Sequence, residues 1–183
     1  MRKIIAGLFI SLDGVVESPE KWHFPYFNDQ MEAAVGSSMA DSDAMLLGRV
    51  TYAEWAGFWP AQSSDDPFAN YINNTPKFVV STTLDTVEWN NSTLIKGDVA
   101  QQIARLKQQP GKNIAISGSG TLVQWLLHAD LLDELRLLVH PIVVGSGKRL
   151  FTGGSAPKGL KLVDSQAFST GVMYLTYAPA EPA

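Results

Sequence analysis

The sequence predicts an α/β fold: a single domain on a mixed, mostly parallel sheet, helices on both faces, antiparallel strands toward the C-terminus. Three observations carry this. From residue 3 to residue 128, short apolar runs ending in glycine or hydroxyl residues alternate with stretches of helical period. Strand-like runs then dominate the last quarter, with turns at Gly145-Ser146-Gly147 and Ser169-Thr170-Gly171. The 183 residues are 45% hydrophobic and only 17% charged, a composition suited to a sheet buried on both faces.

Lys3 to Leu12 is a buried strand. Its basic start and apolar run resemble a short signal peptide, but Asp13 stands where a small-residue cleavage site belongs. Asp13 to Pro25 is a loop of turn formers and aromatics. Asn28 to Met39 has helical period, with Met31, Ala34, Val35 and Ser38 on one face. Ala44 to Leu47 is a short strand ending at Gly48, Arg49 to Ala56 is helical, and Phe58 to Pro67 is loop. Strands follow at Lys77 to Ser81 and Thr93 to Ile95, then a helix to Gln108 capped by Asp98. Asn113 to Ser117 is a strand that runs into a helix over Thr121 to His128. Leu135 to Val144, Leu160 to Phe168 and Val172 to Tyr177 complete the sheet. No linker divides the chain, so residues 1–178 form one domain and 179–183 a tail.

Composition excludes several functions. A net charge of -4 argues against a nucleic-acid partner, which needs clustered Lys and Arg. Without cysteine there is no thiol catalysis or zinc ribbon, and His23, His128 and His140 form no ligand pair at helical spacing, so no metal is expected. No apolar stretch approaches the roughly 20 residues that span a bilayer, and a cytoplasmic protein is expected. Gly-x-Ser-x-Gly and a Walker lysine are both absent.

Three strand ends offer chemistry. Ile114 to Ser117 leads through Gly118-Ser119-Gly120 into a helix whose free amides suit an anion such as a dinucleotide pyrophosphate. A tight turn with no ligand has the same signature. The Rossmann fingerprint is incomplete, since Val123 takes the third glycine position and His140 stands where an acid belongs. Leu46-Leu47-Gly48-Arg49-Val50-Thr51 makes a second such junction and adds a guanidinium. Val79-Val80-Ser81-Thr82 adds hydroxyls that could join Arg49 on a 2'-phosphate. Taken singly, Arg49 also reads as a surface charge and Ser81 as a turn cap.

The segments Leu46-Leu47-Gly48-Arg49-x-Thr51-Tyr52, Phe78-Val79-Val80-Ser81-Thr82 and Ile116-x-Gly118-Ser119-Gly120-Thr121-Leu122 resemble the dihydrofolate reductase fold. They are most similar to its branch containing the reductase domain of the riboflavin-biosynthesis deaminase-reductase. Ser11-Leu12-Asp13-Gly14, and Asp133-Glu134-Leu135-Arg136 leading to Pro141 through Phe151, agree with that branch. The resemblance spans essentially the whole chain.

It implies a three-layer α/β/α reductase using NADPH. Gly48, Arg49 and Thr51 would hold cofactor phosphates, with Ser81 and Thr82 at the adenosine end. Gly118, Ser119, Gly120, Thr121 and Leu122 would lie along the pyrophosphate, and Ala6 with Asp13 to Val16 beside the nicotinamide. Trp22-His23-Phe24-Pro25-Tyr26-Phe27 keeps the Trp and Pro of dihydrofolate reductases, but Phe27 replaces their carboxylate, which speaks against folate reduction.

Asp13, His23 and Asp29 are the candidate proton donors, and water could also serve. Asp13 is preferred as catalytic residue, and a carboxylate satisfying the amides of its own turn is an equal reading of it; His23 reads as a solvated loop residue. Trp22, Phe24, Phe27 and Tyr52 are the substrate candidates, because planar heterocycles stack on such rings. Lys148 and Arg149 could meet a substrate phosphate or stand solvated in their turn.

The expected activity is reduction of a small heteroaromatic substrate, as in the 5-amino-6-(5-phosphoribosylamino)uracil reductase of riboflavin biosynthesis. A folate reductase with a displaced acid and a non-catalytic NADPH- or pterin-binding protein are the alternatives. The resemblance also implies a homodimer paired through C-terminal strands.

Overall fold

The apolar run after Lys3 forms β1 (Ile4–Ser11), the strand around which the rest of the sheet is arranged. The structure is a computed structural model and describes residues 1–154 and 156–180. The other strands are β2 (Ser42–Gly48), β3 (Lys77–Val80), β4 (Ser92–Ile95), β5 (Asn113–Ser117), β6 (Glu134–His140), β7 (Leu160–Ala167) and β8 (Met173–Pro179). They make one eight-stranded sheet ordered β4-β3-β2-β5-β1-β6-β8-β7. β4 through β6 pair in parallel, and β8 pairs antiparallel with both β6 and β7. The carboxyl ends of β1, β2, β3 and β5 therefore lie along one edge.

Among the described residues, five α-helices cover the faces: α1 (Asp29–Ala40), α2 (Arg49–Phe58), α3 (Pro67–Asn74), α4 (Val99–Gln108) and α5 (Gly120–His128). Ile4, Ala6, Leu8 and Ile10 of β1 meet Ile103 and Leu106 of α4 and Val123 and Leu126 of α5 in one continuous core. Burial of each such valine, leucine or isoleucine contributes about 1.5–3 kcal/mol. The opposite face is split. Met45, Leu47 and Val79 pack with Tyr52, Ile72 and Trp89 beneath α2 and α3, while Leu138, Phe168 and Val172 pack with Met31 of α1. This is the three-layer α/β/α arrangement the sequence predicts.

Three elements differ from expectation. The segment between the expected loop ending at Pro67 and the strand at Lys77, for which no element is expected, forms α3. Asp66 Oδ1 accepts the amides of Phe68 and Ala69, Pro67 opens the helix, and Ala69 and Ile72 are buried. β6 stops at His140 because Pro141 has no N–H for a ladder. β8 extends to Pro179, and Ala180 donates to the Gly159 carbonyl (3.0 Å), so the expected 179–183 tail starts inside paired chain. Its residues 181–183 lie outside the described residues.

Among the described residues, no helix is long and apolar enough to cross a membrane, and no cluster of three His, Asp or Glu could hold a metal ion.

Candidate active site

The starts of α2 and α5 are tied together by one side chain. Ser119 Oγ accepts the Gly48 amide (2.9 Å) and lies 2.7 Å from Thr51 Oγ1. The approach is close enough that a β-carbon on Gly48 would stand 2.7 Å from that hydroxyl, and one on Gly118 would stand 3.3 Å from Thr51 Oγ1. Ser119 adopts a left-handed backbone (φ 56°) to reach across.

Committing Ser119 in this way leaves α5 without a cap. α1, α3 and α4 are capped by Asn28, Asp66 and Asp98, whereas neither α2 nor α5 receives a side-chain cap. A helix start carries unpaired amides and the positive end of the dipole. Two open starts thus face the same edge, formed by Arg49 to Thr51 and by Gly120 to Leu122. Thr51 and Leu122 bury their side chains against the core, while Thr121 is exposed. Arg49 is exposed and has no carboxylate within 4 Å among the described residues, so its guanidinium is available to an anion.

At the end of β3, Ser81 is buried and its Oγ accepts the amides of Thr83 (3.1 Å) and Leu84 (3.0 Å). The hydroxyl closes a turn, leaving Thr82, which is exposed, as the one expected adenosine-side group with a free side chain.

Asp13, expected as the proton donor, is occupied otherwise. Its carboxylate accepts the Ser11 hydroxyl (2.6 Å) and the amides of Val144 (3.0 Å) and Gly145 (2.9 Å). Arg149 Nε also donates to the Asp13 carbonyl (3.0 Å). These bonds, the Ser11 hydroxyl foremost, hold the carboxyl well below the usual carboxylate range, so it has no proton to give near neutrality. Asp13 anchors the 144–149 loop. The Val16 amide donates to the Lys148 carbonyl (2.9 Å), and Val16 and Leu150 pack over Gly120. Lys148 is exposed beside Glu17 (3.6 Å).

Between the two cores of the split face, the absent side chain of Gly7 leaves a gap, or trough, in the layer covering the sheet. Gly7 pairs with Ser117 on one side and Arg136 on the other, and a β-carbon at Gly7 would meet nothing within 4 Å. Ala115 and Ser117 are half-buried beside it. Ala6, expected at the nicotinamide, is 0% exposed in the core on the opposite face, because side chains alternate along a strand. Gly7 is the open position. Arg136 forks onto Glu134 Oε2 (2.7 and 3.1 Å) at the margin of the trough.

Phe9, next after Gly7 on that face, begins an aromatic cluster. His23 stacks on Phe9 (4.6 Å between centroids, 11°), Phe24 lies over His23 at 4.2 Å, and Phe27 meets it edge-on at 6.1 Å. Trp22 is buried and meets His140 edge-on at 5.2 Å, while Phe24 and Phe27 are exposed. Of the expected substrate residues, Phe24 and Phe27 share the His23 ring, whereas Trp22 meets His140 instead. Tyr52 does not join them: its hydroxyl accepts the amides of Glu88 (2.9 Å) and Trp89 (3.1 Å), and its ring packs beneath α2. It borders a hollow of about 740 Å3 with Asn70, Asn73 and Trp89, which none of Gly48, Ser119 or Asp13 lines.

Sequence reasoning missed Gly7, Phe9 and His140, and read His23 as solvated. His23 is 7% and His140 0% exposed; His23 Nδ1 and His140 Nε2 are buried without a partner. Burial pushes both imidazoles below their ordinary range. The signal available was β1 alternation, which sets Gly7 and Phe9 opposite Ala6, with a strand glycine marking close approach.

Sheet order and covering helices define a dihydrofolate reductase-like α/β fold. An Enterococcus faecalis dihydrofolate reductase complexed with NADP(H) superposes with a TM-score of 0.63 at 15% identity, over 98% of this chain and 97% of that one. The family model for the RibD C-terminal domain matches residues 2–174, and the chain belongs to that family. A Shewanella sp. PV-4 protein named for riboflavin biosynthesis superposes with a TM-score of 0.79 (24% identity, 99% and 100% covered). The Thermotoga maritima diaminohydroxyphosphoribosylaminopyrimidine deaminase/5-amino-6-(5-phosphoribosylamino)uracil reductase gives 0.68 (15% identity), over 98% of this chain and 57% of that one. The uncharacterized protein YyaP of Bacillus subtilis (strain 168) is 28% identical over 96% of this chain and 94% of its own length.

Proposed function

We propose that the protein is an NADPH-dependent reductase of a small heteroaromatic substrate, of the kind that reduces 5-amino-6-(5-phosphoribosylamino)uracil. One observation carries the reading: two uncapped helix starts, tied through Ser119, share the edge with the unpaired Arg49 and lie beside the Gly7 trough. Free amides and a bare glycine contact suit a diphosphate whose approach a side chain would block.

The amides of Arg49 to Thr51 and Gly120 to Leu122 would hold the diphosphate, and Arg49 with Thr82 the 2'-phosphate. NADPH, when bound, supplies the hydride. The chain's own part is orientation and exclusion of water: Val16 closes over Gly120, and Asp13 holds the 144–149 loop beside them. The folate alternative is weakened because Asp29 borders a hollow between α1 and β8, with Gln166 and Tyr174, rather than replacing the acid at Phe27. The exposed edge strand β7, with Leu162 and Val163 open, supports pairing of two copies through the C-terminal strands.

The test is loss of NADPH absorbance with 5-amino-6-(5-phosphoribosylamino)uracil, alongside fluorescence titration of wild type and Arg49→Ala with NADPH and NADH. Turnover is expected, with Arg49→Ala weakening NADPH by about 10- to 100-fold, the size of a charged hydrogen bond, and leaving NADH unchanged. Equal wild-type affinity for both cofactors overturns the 2'-phosphate assignment, and absence of turnover overturns the substrate.

A further inference from the structure

Of the three side chains that could donate a proton in place of water, Asp13 is held ionised by its loop and Asp29 borders the α1–β8 hollow. His23 remains, and the structure treats it unlike a surface residue. It is 7% exposed, lies between Phe9 and Phe24, and its Nδ1 is buried with no hydrogen-bond partner. A buried polar atom left unpaired costs about 1–3 kcal/mol, and such atoms are rare unless something outside the protein satisfies them.

The surroundings indicate what that something is. Phe9 is the next residue after Gly7 on the open face, and His23 stacks on Phe9, one strand position along from where the glycine leaves room. Phe27, at the position of the missing carboxylate, touches the His23 ring. His140 stands behind, its centroid 6.1 Å away and the ring perpendicular. With Nδ1 2.8 Å from the Leu138 carbonyl, His140 carries its proton there and is fixed in place. Phe9 and Phe24 occupy the two faces of the imidazole, so only its edge, where Nδ1 lies, is left to meet a polar atom of a ligand.

We infer that His23 replaces the absent carboxylate as the catalytic proton donor, its Nδ1 hydrogen-bonding the heteroatom of the substrate's reducible C=N or C=O bond. The inference rests on the reductase reading above. In the step, the carbon of that bond receives the hydride that NADPH supplies, and the π pair moves onto the heteroatom. The Nδ1–H bond of the His23 imidazolium breaks and its proton joins the heteroatom. NADPH becomes NADP+, the double bond becomes CH–NH or CH–OH, and His23 is left neutral, to be reprotonated from solvent. The titratable groups facing His23 are Glu20 from its own loop, which favours the charged ring, and His140 from β6, which opposes it; Tyr26 packs on His140. Burial is the largest influence and lowers the pKa, so turnover should fall as pH rises from below the ordinary histidine range.

The test pairs kinetics with a binding readout. Wild type, His23→Gln and His23→Phe are assayed for reduction of 5-amino-6-(5-phosphoribosylamino)uracil from about pH 5 to about pH 9, the window that brackets histidine titration. In parallel, the His23 imidazole of isotopically labelled wild type is followed by NMR during titration with the ribitylamino product. Both variants should lose about 100-fold or more in kcat, the usual contribution of a positioned acid, with unchanged NADPH affinity and no alkaline decline. The His23 nitrogen signals should shift saturably with product. Product binding that leaves His23 unmoved, or variants that keep the wild-type pH profile, overturns the role of His23 while the reductase reading stands. A wild type that neither turns over nor binds the pyrimidine overturns both. Should the variants fail to fold, the wild-type NMR titration and pH profile decide alone.

Discussion

Ser119 Oγ lies 2.7 Å from Thr51 Oγ1, and this pair joins two helices whose starts would otherwise be independent. One hydroxyl thereby sets the separation of α2 and α5 and leaves both helix starts open to a ligand. Ser119→Ala should weaken NADPH by about tenfold, roughly one net hydrogen bond, and strand the Gly48 amide. Ser119→Gly should be as weak in binding but more stable than Ser119→Ala, because the left-handed backbone favours glycine by about 1 kcal/mol. Gly48→Ala should be worse than either, since its β-carbon would stand 2.7 Å from Ser119 Oγ and force the helices apart. Titration of the three variants with NADPH, alongside thermal melts, checks this ranking.

Asp13 acts as an anchor for the 144–149 loop. Asp13→Asn should lower kcat/KM several-fold by loosening the loop, without changing the shape of the pH profile. If the profile loses a limb, Asp13 is a titrating catalyst after all. The sign in stability follows from its depressed native pKa: the contribution is complete above about pH 4, the unfolded value, and is lost as pH falls further. Wild type should therefore lose more stability than Asp13→Asn below that pH, as acid titrations monitored by circular dichroism will report.

Lys77 gives the opposite pH window. Its ammonium is fully buried, donates to the carbonyls of Thr75 (2.8 Å) and Asn73 (3.2 Å), and lies 4.4 Å from the centre of the Trp89 ring. Burial pushes its pKa down to about 8. Between about pH 8 and the unfolded value near 10.4 the unfolded chain binds more protons than the native one, so stability rises with pH by at most about 1.4 kcal/mol per unit. Lys77→Met should lack this rise. Tyr71, whose pKa burial raises, is common to both proteins and cancels in the difference. Parallel urea unfolding across that window tests the assignment, and identical slopes would contradict it.

Much of the fold was legible because β1, β2 and β5 are continuous apolar runs that end in small residues, and because α4 announces its cap at Asp98. α3 is not expected from the sequence because it is only eight residues long and buries just Ala69 and Ile72, although Asp66-Pro67 is a helix-start signature. The phosphate side of the site could be read from strand-to-helix junctions, whose geometry is local. The substrate side could not. Tyr52 and Trp22 are equally aromatic in sequence, and only the tertiary fold sends one beneath α2 and the other to His140. Likewise Asp13 has the composition of an acid catalyst, and its commitment to Val144 and Gly145 depends on a loop about 130 residues away along the chain.

The most direct test of the central claim, that NADPH binds where α2 and α5 begin, is an amide NMR titration of the protein with NADPH. The account predicts saturable shifts largest at Gly48 to Thr51 and Gly118 to Leu122, with Gly7 and Ser117 moving in the same titration. Saturable binding whose shifts centre instead on the Asn70, Asn73 and Trp89 hollow, or an absence of binding at millimolar NADPH, on the order of the weakest useful affinity, would contradict it.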